Sequence, residues 1–113
     1  MMLDMDKITK EHAELFPMAS AESQFYKLEE EISEWENAKD DAHVKNELAD
    51  IFIVCCGLNR WFPKTAETIA MWFTGGLDDV LEDVVNNKWN INLGREWEWN
   101  GKTYRHKGKD GHE

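Results

Sequence analysis

Glu31 and Glu34, and then Glu47 and Asp50, are two pairs of acids, each spaced i, i+3. On a helix that spacing puts both members of a pair on one side. The chain between Glu34 and Glu47 is long enough to end one helix, turn, and start another running back. The two pairs can therefore converge. At about 6 Å and an effective dielectric of about 20, each like-charged pair would cost roughly 3 kcal/mol. Carboxylates left in that state take up protons or splay apart. A hard dication such as Mg²⁺ removes the repulsion, because it takes oxygen ligands and usually keeps some water.

The bland alternative is a solvated acidic face, which suits Glu29 and Glu36. It suits Asp50 badly, because Asp50 opens the six-residue apolar run Ile51–Cys56, with no Lys or Arg three or four positions beyond it. Glu47 likewise has Ile51, not a basic residue, at i+4. Lys27 falls one turn before Glu31, and Gln24 one turn earlier. Lys27 can touch a phosphate or simply pair with Glu31. Other chemistries find little support. His12, His43, His106 and His112 are scattered and read as surface residues, no Ser-His-Asp or Cys-His arrangement is evident, and Glu-x-x-His, the di-iron bundle motif, is missing.

These residues need helices to carry them. A first helix is expected from about Asp4 to Phe16, ended by Pro17. Ser20 can cap a second helix through about Ala38, with Phe25, Leu28, Ile32 and Trp35 on one buried face. A third, from about Asp41 to Asn59, is apolar all round in its middle and must be covered on every side. Thr65 can cap a fourth to about Phe73, and after Gly75-Gly76 a last segment from Leu77 continues to about Lys88. Asn100-Gly101, between alternating aromatic and polar residues, signals a hairpin over about 96–106. The expected fold is all-α, a four-helix-type bundle with a small C-terminal β-hairpin. The chain reads as one domain over 1–113, with a loose end at Lys107–Glu113.

Composition narrows the partners. A net charge of −10 argues against a nucleic-acid polymer as partner. No apolar run approaches the roughly 20 residues of a membrane span, and no signal core follows the first residues. Cys55 and Cys56, the two cysteines, read as reduced and buried, and the expected location is cytoplasmic. Most of the six tryptophans are expected in core or subunit contacts. Trp61 and Phe62 are expected at the C-terminal end of the third helix and Phe16 and Trp35 near the bundle mouth, where a ring of a ligand could stack.

The segment Leu28-Glu29-Glu30-Glu31-Ile32-Ser33-Glu34, followed by Glu47-Leu48-Ala49-Asp50, resembles the E-x-x-E…E-x-x-D signature of MazG-like nucleoside triphosphate pyrophosphohydrolases. These belong to the all-α NTP pyrophosphatase superfamily. The resemblance covers about residues 16–97, and takes in Gln24 and Lys27 before the first pair and Lys88, Asn92 and Arg95 after the fourth helix. It implies Mg²⁺ held by Glu31, Glu34, Glu47 and Asp50, and cleavage of a nucleoside triphosphate between its α- and β-phosphates, a house-cleaning activity on nucleotide pools. It also implies a homodimer or homotetramer, in keeping with a third helix that a monomer has too few neighbours to cover. Lys88, Asn92 and Arg95 are expected on irregular backbone beyond the last helix, where they would read phosphate or sugar. The acceptor of the attacking water's proton is one of the four acids or Glu30. Alternatives are a dUTPase-like or phosphoribosyl-ATP pyrophosphatase sibling, or a non-enzymatic helical module that binds a partner through its acidic face.

Overall fold

In the computed structural model, which describes residues 4–107, one helix forms the axis of the molecule. This is α3, Asp41–Leu58, and every residue from Ala49 to Leu58 is buried. Its neighbours are α1 (Met5–Leu15), α2 (Ala21–Glu36), α4 (Pro63–Thr74) and α5 (Asp79–Leu93), and each packs on it. An apolar helix without a polar face is stable only in that position. Ile51 and Leu58 are fully buried, each contributing roughly 1.5–3 kcal/mol. Four helices of the same chain thus suffice to cover α3, and the expectation that a second subunit must cover it is overturned. Among the described residues no helix is long and apolar enough to cross a membrane.

Helix boundaries follow local chemistry. Asp4, Ser20, Asp40 and Asp78 each accept a backbone N–H with the side chain at the start of α1, α2, α3 and α5. Ser20 and Ser23 do so reciprocally, at 3.1 and 2.8 Å. The expected Thr65 cap is incorrect. Pro63 opens α4 as its first residue, where its missing N–H costs nothing. Gly75 closes α4 in the left-handed region at φ 64°, donating its N–H to the Met71 carbonyl at 2.7 Å.

The last helix differs most from expectation. It begins at Asp79 and runs to Leu93, past Lys88, so Lys88 and Asn92 stand on a helix and not on a loop. The following hairpin pairs β1 (Trp97–Trp99) with β2 (Tyr104–His106), in the register Trp97↔His106, Glu98↔Arg105 and Trp99↔Tyr104. Asn100-Gly101 lies in its loop, but the loop has four residues. Asn100 Oδ1 accepts the N–H groups of Lys102 and Thr103 at 2.9 and 2.8 Å, and Gly101 supplies φ 94°. The predicted loose end lies almost wholly outside the described residues.

Candidate metal centre

The buried stripe of α2 is polar. Ser23, Gln24, Lys27 and Glu31 are buried beside Leu28, while Phe25, expected in the core, is 42% exposed. Polar side chains go inside where they find one another or a ligand. Here they meet Glu47 and Asp50, also buried, at the point where α3 changes from a polar to an apolar helix. The turn at residues 37–40 folds α3 back along α2 and brings the two acidic pairs together.

Glu31, Glu47 and Asp50 can each offer a carboxylate oxygen within 4.8 Å of the others, and this group could hold a metal ion. An all-carboxylate donor set suits a hard cation and not a soft one. Burial, then the charge of Asp50 and a hydrogen bond to it, push the Glu47 carboxyl up to about 7. Without a metal ion Glu47 is therefore partly protonated near neutral pH. Glu34 lines the same cleft, half-buried, outside that tight group.

The cleft encloses about 330 Å³. Its walls carry five carboxylates, Glu30, Glu31, Glu34, Glu47 and Asp50, and three permanent cations, Lys27, Lys88 and Arg105. With every acid ionised the walls are two charges short of neutrality, which one divalent ion supplies. Lys88 reaches across from α5 and places Nζ 3.0 Å from both oxygens of Asp50. Arg105 comes from the hairpin and grips Glu30 with both ends of its guanidinium, and Lys27 Nζ lies 3.5 Å from the same carboxylate. Burial raises the Glu30 pKa, but these two cations outweigh it and hold the group below the usual carboxylate range.

A second, smaller cavity of about 20 Å³ adjoins the cleft, sharing Lys27 and Asp50 with it. Gln24, Asn92, His12, Phe16 and Tyr104 complete much of its lining. His12 stacks on Trp89 at 6.0 Å and 9°. Burial, with help from the Arg60 charge, pushes its pKa down to about 4, so the imidazole is neutral at pH 7. Gly57 of α3 makes room for these groups: a Cβ there would stand 2.5 Å from Gln24 Oε1 and 2.6 Å from His12 Nε2.

Comparison with known protein families, characterised proteins and solved structures finds no significant match in any of the three.

Of the expected site residues, Glu31, Glu34, Glu47, Asp50, Lys27 and Lys88 meet in the cleft, and Gln24 and Asn92 meet in the adjoining cavity. Arg95 is the exception: it sits in the turn after α5 and lines neither space. Arg105, ten residues later, lines the cleft and was not expected, because register within a hairpin does not say where the hairpin docks. His12 was read as a surface residue and is buried. A signal existed: Ile8, His12 and Phe16 recur every four residues, and all three are buried. Of the proposed base-stacking rings only Phe16 lines the cavity. Trp35 packs edge-on against Phe73 at 5.2 Å, Trp61 lies under Arg60, and Phe62 faces Phe25. Cys55 and Cys56 are free and buried, and burial raises both thiols, Cys55 to about 12, so they are poor nucleophiles.

Proposed function

We propose that this chain is a Mg²⁺-dependent nucleoside triphosphate pyrophosphohydrolase, releasing the monophosphate and pyrophosphate. The observation that carries the reading is the convergence of three buried carboxylates from two helices in a cleft that also presents three cations. An acidic group alone would suit a stored cation. Cations on the same walls suit a ligand that brings both a metal and phosphates.

Glu31, Glu47 and Asp50 would hold the ion, with Glu34 beside them. When bound, Mg²⁺ neutralises phosphate charge and polarises a water for attack. The chain's own residues do the rest. Lys88 and Lys27 bind phosphate oxygens as point charges. One carboxylate of the α2–α3 wall takes the proton of the attacking water. The adjoining cavity takes the nucleobase, with the Gln24 and Asn92 amides at its polar edge and Phe16 and Tyr104 as its rings. The cavity as it stands holds little more than one water, so the base enters by displacing side chains at its mouth.

The resemblance that motivates this reading also implies a homodimer or homotetramer, and the two reduced cysteines suit the cytoplasm. With α3 covered internally, α4 is the surface for such a contact. Trp72 is 84% exposed and Met71 59%, next to an apolar groove of about 190 Å³ that Phe52 and Leu77 help to line.

Mixing the purified chain with a panel of ribo- and deoxynucleoside triphosphates in Mg²⁺ tests the proposal. Pyrophosphate should appear with at least one of them and stop on chelation. A chain that binds Mg²⁺ but turns over no nucleotide would be a binding module instead.

A further inference from the structure

The C-terminal hairpin is pinned to the junction of α1 and α2. Tyr104 Oη accepts the Met18 N–H at 2.9 Å, and the Phe16 ring packs against Tyr104 and Trp97 at 4.9 and 5.1 Å. Lys102 Nζ lies 4.0 Å from the centre of the Tyr26 ring. Fixed at that point, β2 sends Tyr104 to the small cavity and its neighbour Arg105 to the metal cleft.

Arg105 meets Glu30 fork to fork, Nη1 lying 3.1 Å from Oε1 and Nη2 bonding Oε2. A guanidinium donates to two oxygens of a phosphate in the same geometry as to two oxygens of a carboxylate. The pair is half-buried at the cleft wall, with side chains 31% and 43% accessible, so a competing anion can reach the guanidinium from the cleft. Glu30 also has Lys27 Nζ at 3.5 Å in the resting site, so it is held from two sides before any anion enters.

We propose that Arg105 is a phosphate-binding residue of this cleft and that Glu30 is its placeholder, occupying in the resting site the position that a polyphosphate takes. The ligand class is a metal-bound polyphosphate anion. Calling it a nucleoside triphosphate rests on the hydrolase reading above, whereas the anion exchange does not. Glu30 accordingly serves to aim Arg105 and to lower its affinity for weaker anions. Its removal should strengthen binding, the opposite of what loss of a structural strut would do.

The test is calorimetric binding of inorganic tripolyphosphate in Mg²⁺ to the full chain, with thermal melting of each variant in parallel. Arg105→Met should weaken binding by about tenfold or more, and Arg105→Lys should recover only part of it. Glu30→Gln should tighten binding, and the gain should vanish in the Glu30→Gln, Arg105→Met double variant. The Glu30→Gln result stands even if Arg105→Met folds poorly. Binding within about twofold of wild type in a folded Arg105→Met variant would overturn the proposal. So would a Glu30→Gln variant that binds more weakly, or a wild-type chain that binds no tripolyphosphate. Turnover on the nucleotide panel is scored separately, so a working hydrolase with an indifferent Arg105 refutes this inference alone. Arg105-dependent binding without turnover refutes only the hydrolase reading.

Discussion

Lys88 Nζ stands 3.0 Å from both carboxylate oxygens of Asp50, joining the last helix to the central one across the acidic cleft. The two residues are 38 apart in sequence. Asp50 lacks a basic neighbour on its own helix because its cation comes from α5. A divalent ion at Glu31, Glu47 and Asp50 would share Asp50 with Lys88 or release the lysine toward phosphate.

That double role gives Lys88→Met a particular signature. Without metal, Asp50 and Glu47 lose their nearest cation, and the melting temperature should fall. Mg²⁺ should restore most of the loss, since it binds only the folded site. Activity should not recover: losing a charged partner of a phosphate oxygen costs about 1.5–3 kcal/mol, or roughly tenfold to a hundredfold in kcat/KM. Melting in chelator and in Mg²⁺, set beside kinetics, checks all three. Arg95→Met, by contrast, should leave kcat/KM within about twofold, since Arg95 lines neither cavity.

Glu47 and His12 should give opposing pH dependences. Glu47 is raised in the fold to about 7, so its contribution to stability is complete below about pH 4.5 and is lost as pH rises through 7. His12 is lowered to about 4, so its contribution is present above about pH 6.5 and is lost as pH falls toward 4. In metal-free protein the two partly cancel between about pH 4.5 and 6.5. Glu47→Gln removes one side of the balance and should make stability fall more steeply with acid across that window. Identical pH slopes of melting temperature for variant and parent would show that Glu47 is not raised. Mg²⁺ must displace the Glu47 proton, so its affinity should drop as pH falls below about 7.

Much of the fold and most of the site were legible in sequence because they rest on local rules. The cap at Ser20, the start of α3 at Asp41, the apolar run Ile51–Leu58 and the paired acids are statements about residues near in sequence. What stayed hidden depends on docking between distant segments. Periodicity put Phe25 inside, but the polar stripe Gln24, Lys27, Glu31 is buried in its place, because polar groups that find partners across a helix interface can be buried where hydrophobicity assigns them to water. The extension of α5 past Lys88 had no stop signal before Gly94 and was legible in principle. Arg105 was not, since its place is set by how aromatic residues of the hairpin pack on Phe16 and by the Lys102 contact with Tyr26.

Gly57 tests the small cavity. Gly57→Ala would drive a methyl group into the ends of the buried His12 and Gln24 side chains, both of which must shift, His12 against the Trp89 ring on which it stacks. We expect a loss of about 1–3 kcal/mol in urea unfolding and a larger relative loss of nucleotide affinity than of Mg²⁺ affinity. A Gly57→Ala variant that is as stable as wild type and binds nucleotide equally well would show the cavity to be irrelevant.

Assembly can be read directly. Light scattering at low micromolar concentration should give the mass of two or four chains instead of the 13.3 kDa of one. Trp72→Glu should shift the population toward the single chain without loss of helix content. A wild-type protein that remains a single chain would remove α4 as an interface.

Above all, the carboxylates of α2 and α3 are proposed to use a divalent cation to cut a nucleoside triphosphate between its α- and β-phosphates. Phosphorus NMR of the reaction mixture is the decisive measurement, run on wild type in Mg²⁺, wild type in excess chelator, Glu47→Gln and Asp50→Asn. The expected result is monophosphate and pyrophosphate in equal amounts from wild type in Mg²⁺, with turnover abolished in the other three samples while circular dichroism shows the helices intact. Diphosphate and inorganic phosphate as products, or undiminished turnover in chelator or in both variants, would contradict it.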